Sequence, residues 1–138
     1  MPHRAVGALV GAVLLLTNAA WGQASAKAAE PVTHGRPLSE WIADLQEPAP
    51  QTRNAAAYEI AGLGPAAVAA VPALIEALDD PSAVVRFPVT VALGEIGPAA
   101  VAAVPRLRQM MEEEINDEIA AAARRAIKRI KPGAEAGQ

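Results

Sequence analysis

Apolar residues recur with helical spacing through the middle of the chain. Two sets of four follow the spacing i, i+3, i+4, i+7, namely Leu38, Trp41, Ile42 and Leu45, and then Val71, Leu74, Ile75 and Leu78. This spacing places the four side chains of each set on one face of an α-helix. The two sets lie 33 residues apart, so the pattern predicts two copies of the same helix.

A longer element repeats with the same period. The nonapeptide GPAAVAAVP runs from Gly64 to Pro72 and again, unchanged, from Gly97 to Pro105. A period of 33 residues is typical of solenoids built from helix pairs. An apolar stripe predicts the second helix of the middle unit, Val85, Val89, Ala92, Leu93 and Ile96. A third unit follows with one inserted residue in its turn. We therefore predict an all-α fold, an α-solenoid of about three antiparallel helix pairs over residues 37–131.

Turn residues predict where the helices begin and end. Asp80 or Ser82 is suited to cap the second helix of the middle unit, and Gly64 and Gly97 are suited to close second helices with a positive φ.

Three prolines should disturb helices. Pro72 and Pro105 are expected to bend the first helices of units two and three. Pro88 lacks the N–H that would bond to the carbonyl of Val84, so it should kink or shorten its helix.

Three motifs together carry a family resemblance. They are the turn DDPSAVVR, the helix end ALGEIGPAA, and the following AVPxL at Val71–Leu74 and Val104–Leu107. With them the chain resembles the HEAT-repeat family, in particular short bacterial versions related to the phycobiliprotein lyase HEAT-like repeats. The resemblance implies a ladder between units, in which an aspartate near the turn meets an arginine of the second helix. The residues it assigns to this ladder are Arg53, Asp79, Asp80 and Arg86.

Composition narrows the possible chemistry. Hydrophobic residues make up 52% of the chain but aromatic residues only 3%, and alanine, the best helix former, is the commonest residue. The formal charge of −3 gives no basic footprint for nucleic acid or an anionic membrane. Cysteine is absent, which excludes disulfides, thiolate catalysis and thiolate metal sites.

The N-terminus has the order of a secretory signal peptide. Basic His3 and Arg4 precede an apolar run that ends in small residues. We predict a signal peptide over residues 1–22, with Ala26 as the alternative cut, and hence a periplasmic or secreted protein with no membrane contact after cleavage. Residues 23–36 are predicted to be a linker and 132–138 a disordered tail.

Candidate catalytic groups are few. His34 lies in the predicted linker and is expected to be solvated, and the run Glu112–Glu114 points around a helix or turn, as a solvated acidic surface would. The serines lack a neighbouring base, and the glycines lack the order of a phosphate-binding loop. The basic cluster in residues 124–131 is interpreted as a polar cap of the terminal repeat. We predict no enzyme activity, no metal and no cofactor.

Surface shape is the remaining candidate for function. Six residues lie on the side of the second helices opposite their core stripes and are candidates for a partner contact. They are Asn54, Tyr58, Phe87, Val91, Arg125 and Lys128. The first hypothesis is a scaffolding module that binds a protein or peptide there. The alternative, from the resemblance, is an accessory lyase-like subunit that handles a chromophore. A third is self-association through the first unit, which shows no polar cap apart from the linker.

Overall fold

Three helix pairs form the body of the protein. The computed structural model describes residues 30–133, and this part contains six α-helices: α1 Leu38–Asp44, α2 Pro50–Leu63, α3 Val71–Ala77, α4 Ala83–Ile96, α5 Val104–Glu113 and α6 Asp117–Ile130. Two 3₁₀ helices, Gly64–Ala70 and Gly97–Ala103, connect one pair to the next. The predicted all-α solenoid of three helix pairs is confirmed.

The two layers of the stack are packed differently. The second helices α2, α4 and α6 pack directly on one another in sequence. Successive first helices approach each other much less. The second-helix layer is therefore the layer through which successive units make most of their contact.

The core contains the predicted stripes. All five residues of the α4 stripe are buried, and Leu38, Leu74 and Leu78 are fully buried on the first helices. Trp41, predicted to be part of the core, is only partly buried and packs against it from the edge.

The repeated nonapeptide explains how units are joined. Gly64 has φ +57° and Gly97 has φ +81°, so each closes its second helix in a conformation that favours glycine. The chain then runs as a 3₁₀ helix before the next α-helix begins at Val71 or Val104. Pro72 and Pro105 are therefore second residues of their helices, where no internal partner is lost. The predicted bend at these prolines is wrong.

Pro88 does not shorten its helix. Helix α4 has 14 residues, as α2 and α6 do, and Pro88 is buried within it. The carbonyl of Val84, which loses its normal i+4 partner, instead accepts a hydrogen bond of 2.5 Å from Nδ2 of Asn54 on α2. A neighbouring helix thus replaces the donor that proline lacks.

Residues 30–36, the described part of the predicted linker, contain regular structure. Strands β1 (Val32–Thr33) and β2 (Arg36–Pro37) form an antiparallel hairpin whose two turn residues, His34 and Gly35, both have positive φ. Positive φ at both turn residues matches the right-handed twist of the strands. The hairpin precedes α1 directly, and the N–H of Leu38 donates to the carbonyl of Pro31 at 2.8 Å.

The hairpin covers the first helix pair. Thr33 donates to Glu59 of α2 at 3.1 Å, and Nδ1 of His34 lies 2.7 Å from the same carboxylate. His34 was expected to be solvated. It is exposed, but its ring also contacts the Glu59 carboxylate. The Arg36 guanidinium lies 3.9 Å from the centre of the Trp41 ring. The first unit therefore has the polar cover that the sequence did not reveal.

By length and composition alone, two helical stretches, Pro50–Ala77 and Ala83–Glu113, could cross a membrane. Each contains a 3₁₀ helix, and each supplies apolar residues to the shared core. The predicted signal peptide, residues 23–29 of the predicted linker and residues 134–138 of the predicted tail lie outside the described residues.

Candidate functional site

Two arginines join successive helix pairs. Arg53 of α2 donates to both carboxylate oxygens of Asp80, with Nε–Oδ2 and Nη2–Oδ1 distances of 2.7 and 3.0 Å. Arg86 of α4 donates to both oxygens of Glu114 at 2.8 and 3.1 Å. Bidentate pairs of this kind are strong and directional. Each arginine also uses Nη1 to donate to backbone carbonyls of the turn before its own helix.

The ladder joins an arginine to the acid of the following unit. Arg86 was expected to pair with Asp79 or Asp80, but Asp80 offers it only a backbone carbonyl. Asp79 instead pairs with Arg106 at the start of α5, at an Nε–Oδ1 distance of 2.9 Å. The predicted pairing of Arg86 with Asp79 or Asp80 was therefore wrong, although Arg53, Asp80 and Arg86 are all part of the ladder.

Glu114 is the ladder residue that sequence reasoning missed. Glu112–Glu114 was expected to be a solvated acidic surface. The side chain of Glu114 is instead only 9% exposed. With the one inserted residue of the third unit, the repeat offset aligns Glu114 with Asp80. This alignment was the available signal.

Both ladder acids have lowered pKa values. Burial acts to raise the pKa of Asp80, but hydrogen bonds from Arg53 and from the Ser82 N–H, with the charges of Arg53 and Arg86, outweigh it. The hydrogen bond from Arg86 holds the pKa of Glu114 below its usual range against the effect of burial. Asp80 accepts the Ser82 N–H at 2.9 Å, so it organises the turn that was predicted to need a cap. Ser82 makes no side-chain cap.

The ladder ends at both sides of the stack. One period before Asp80 lies Glu47, whose side chain is exposed and meets no arginine within residues 30–133. One period after Arg86, counting the inserted residue, lies Ala120. The alanine removes an arginine that would have no acid from a following unit. The first unit thus contributes only an arginine to the ladder, and the last unit contributes only an acid.

The predicted contact residues line two separate depressions on the second-helix layer. Asn54, Tyr58 and Phe87 line the first, which we name the apolar depression after its exposed Tyr58 and Val84; its other lining residues are Ala83, Asn116, Glu118 and Ile119. Tyr58 is 49% exposed and Val84 57% exposed, so the depression offers apolar surface to solvent. Phe87 was expected to face outward, but it is half-buried because part of it packs against the core. The amide nitrogen of Asn54 is already used by the Val84 carbonyl.

The second depression lies between α4 and α6. Val91, Arg125 and Lys128 line it with Gly94, Ala126, Glu95, Ala122 and Arg129, and we name it the basic depression. Gly94 is buried against α6, and a Cβ added there would lie 3.1 to 3.2 Å from Ala126. This close approach of α4 to α6 makes the floor of the depression small and apolar.

Two arginines of the basic depression, Arg125 and Arg129, differ in their ion pairing. Arg129 is paired with Glu95 at 2.9 Å. Arg125 is exposed, and no residue in the described range 30–133 forms an ion pair with it. The depression therefore carries a positive charge on a chain whose overall charge is −3.

In residues 30–133, no three side chains of histidine, aspartate or glutamate lie close enough together to hold a metal ion. The pKa-shifted carboxylates, Asp80 and Glu114, are engaged by arginines of the ladder.

Comparison with known proteins agrees with the architecture. The profile of a family described as HEAT repeats matches residues 38–128. HEAT repeats generally mediate contacts between proteins. The closer relationship to the phycobiliprotein lyase repeats stays a prediction. Among curated proteins, none matches the chain significantly.

Proposed function

Because the chain belongs to the HEAT-repeat family, we propose that it is an exported, non-catalytic module that binds a protein or peptide partner along its second-helix layer. The observation that supports this most directly is the pair of depressions on that layer. They bring exposed aromatic and arginine side chains, Tyr58 and Arg125, onto one face of the stack. Such side chains are frequent anchors of protein interfaces.

The side chains of the ladder support a non-catalytic role. A catalytic acid or base needs a shifted pKa and access to a substrate. Asp80 and Glu114 have shifted pKa values, but their carboxylates are buried and held by two arginine donors each. Their hydrogen bonds connect helix pairs, which assigns them to stability.

Export is supported by the N-terminal sequence. The basic start, the apolar run and the small residues before Gly22 and Ala26 follow the order of a signal peptide. Expression of the full chain in a bacterial host, followed by fractionation and intact-mass measurement, tests this. We expect an extracytoplasmic product that begins at Gln23 or Lys27. An uncut chain retained in the cytoplasm would contradict export.

The binding face can be tested because the chain has no cysteine. A photo-crosslinker attached to Val91→Cys reports on the second-helix layer, and one on Gln109→Cys, at an exposed position of α5, is the matched control. We expect defined cross-linked products with extracytoplasmic proteins of the source organism from position 91 only. Equal products from both positions, or products from position 109 alone, would overturn the proposed face.

A further inference from the structure

The two depressions differ in chemistry, and together they define the partner more narrowly. We propose that the second-helix layer binds an extended peptide segment that carries an apolar anchor residue and, two to four residues away, acidic side chains. This inference rests on the proposed function, and it names the class of partner. The anchor occupies the apolar depression and the acids occupy the basic depression.

The apolar depression provides the place for the anchor. Tyr58 from α2, Phe87 from α4 and Ile119 from α6 converge on it from three successive second helices. A single aliphatic or aromatic side chain entering this depression would meet residues of all three helices. Glu118 also lines it, so an acidic residue directly beside the anchor would be repelled.

The basic depression provides the place for the acids. Arg125 has no ion-pair partner in residues 30–133, and Lys128 and Arg129 lie on the same side of α6. Arg129 is paired with Glu95, and the exposed guanidinium of Arg125 is the positive charge that an acidic peptide can meet. The small apolar floor made by Gly94 and Ala126 lets a peptide backbone approach closely. Charge complementarity therefore selects an acidic segment and disfavours a basic one.

The spacing of the two depressions sets the spacing of the peptide residues. Ile119 and Arg125 are six residues apart on α6, which corresponds to about 9 Å at the helical rise of about 1.5 Å per residue. An extended peptide advances about 3.3 Å per residue, so this distance spans about three residues. The reach of the Arg125 and Lys128 side chains widens the range to two to four residues.

A small set of fluorescent twelve-residue peptides tests the inference with the purified full-length protein. The reference peptide has one Leu and, three residues away, an Asp-Asp pair in a Gly-Ser background, in both chain directions. In the second peptide Lys-Lys replaces Asp-Asp, and in the third Ser replaces Leu. We expect the reference peptide, in at least one direction, to bind at least tenfold more tightly than either control by fluorescence anisotropy, with affinity falling as salt is raised.

Protein variants assign the binding to the two depressions. Arg125→Glu should weaken the reference peptide at least tenfold and strengthen the Lys-Lys peptide. Tyr58→Ala should weaken both. Arg108→Glu, an exposed position of α5 outside both depressions, is the matched charge control and should change affinity less than threefold beyond the general effect of charge at that salt concentration.

The outcomes separate this inference from the proposed function. Equal or tighter binding of the Lys-Lys peptide, or no effect of Arg125→Glu, would overturn the acidic partner. Face-specific cross-linking from position 91 would then still support the proposed function. The absence of binding by any of the peptides would also overturn the inference, and if the cross-linking failed as well, both would be wrong.

Discussion

Asn54 should stabilise the protein only because Pro88 is present. Proline at position 88 leaves the Val84 carbonyl without its i+4 donor, and Nδ2 of Asn54 donates to that carbonyl. The hydrogen bond lies at an exposed edge of the stack, so water can partly replace it when Asn54 is removed. We expect Asn54→Ala to lower the free energy of unfolding by about 1 kcal/mol. For a domain of this size that is a fall of about 4–8 °C in Tm.

The second perturbation makes the reasoning specific. Pro88→Ala restores an N–H that can bond to Val84 within the helix. It removes about two buried methylenes, at about 0.8 kcal/mol each, against a gain of up to about 3 kcal/mol in helix propensity. We therefore expect this substitution to be stabilising or close to neutral. In the Pro88→Ala background, Asn54→Ala should cost almost nothing.

A double-mutant cycle by urea unfolding measures the difference between these two costs. The expected coupling between positions 54 and 88 is about 1 kcal/mol. Asn54→Asp is a useful control, because it keeps the shape of the side chain but presents only acceptors to the Val84 carbonyl, and it should cost at least as much as alanine. Additive effects, with coupling below about 0.3 kcal/mol, would refute the role of Asn54 as the replacement donor.

Further predictions concern the ladder and the glycines. Arg86→Met should lower stability by about 2–3 kcal/mol at pH 7. Because the pKa of Glu114 is lowered in the folded protein, the loss should be full above the unfolded pKa of about 4.3 and should shrink as pH falls through the lower folded value, which unfolding at a series of pH values will show. A loss that stays constant down to pH 2 would contradict the pairing. Gly97→Ala should lower the free energy of unfolding by about 1–3 kcal/mol, because Gly97 has a positive φ. Gly62 has open space around it and an ordinary helical φ, so Gly62→Ala should raise the free energy of unfolding by about 0.5 kcal/mol. Equal shifts of the two variants in thermal unfolding would contradict the backbone argument. Gly94→Ala should lower stability by about 1 kcal/mol because the added Cβ would lie 3.1 Å from the Ala126 backbone, and a gain in Tm would show that α4 and α6 can separate.

The helices could be predicted because burial imposes a period on the sequence. Each helix has one apolar face against its neighbours, and the 33-residue repeat reports the same face again in the next unit. Val85, Val89 and Leu93 are buried as that period required. The same regularity identified Arg53 and Arg86 as equivalent.

Other features depend on contacts that leave no local pattern. Asn54 donates to the Val84 carbonyl from 30 residues away in sequence. The residues around Pro88 therefore predict the lost hydrogen bond but not the side chain that replaces it. The hairpin was missed because residues 32–37 are too short for alternation, and its turn contains His34 rather than the asparagine or aspartate that usually marks such turns. Phe87 was placed outward by ideal helical angles, which do not include the contacts of neighbouring units.

The candidate face was therefore only partly predictable. Angular reasoning selected the second-helix layer and six residues that do line depressions on it. It could not show that they belong to two depressions of different chemistry, because each depression depends on side chains of more than one helix. At Gly94, the close approach of α6 to α4 likewise depends on a contact between two units.

The identical connectors make the middle unit a transferable part. A second copy of residues 64–96 inserted after Ile96 would begin with the same nonapeptide that already follows that residue. Arg86 of the first copy would meet Asp80 of the second, and the last Arg86 would still meet Glu114. The stack could thus be lengthened by internal duplication, while its hairpin end and its last helix, which has Ala120 at the ladder position, would both remain in place. A change in the number of units, and so in the length of the second-helix layer proposed to bind a partner, needs no new kind of junction.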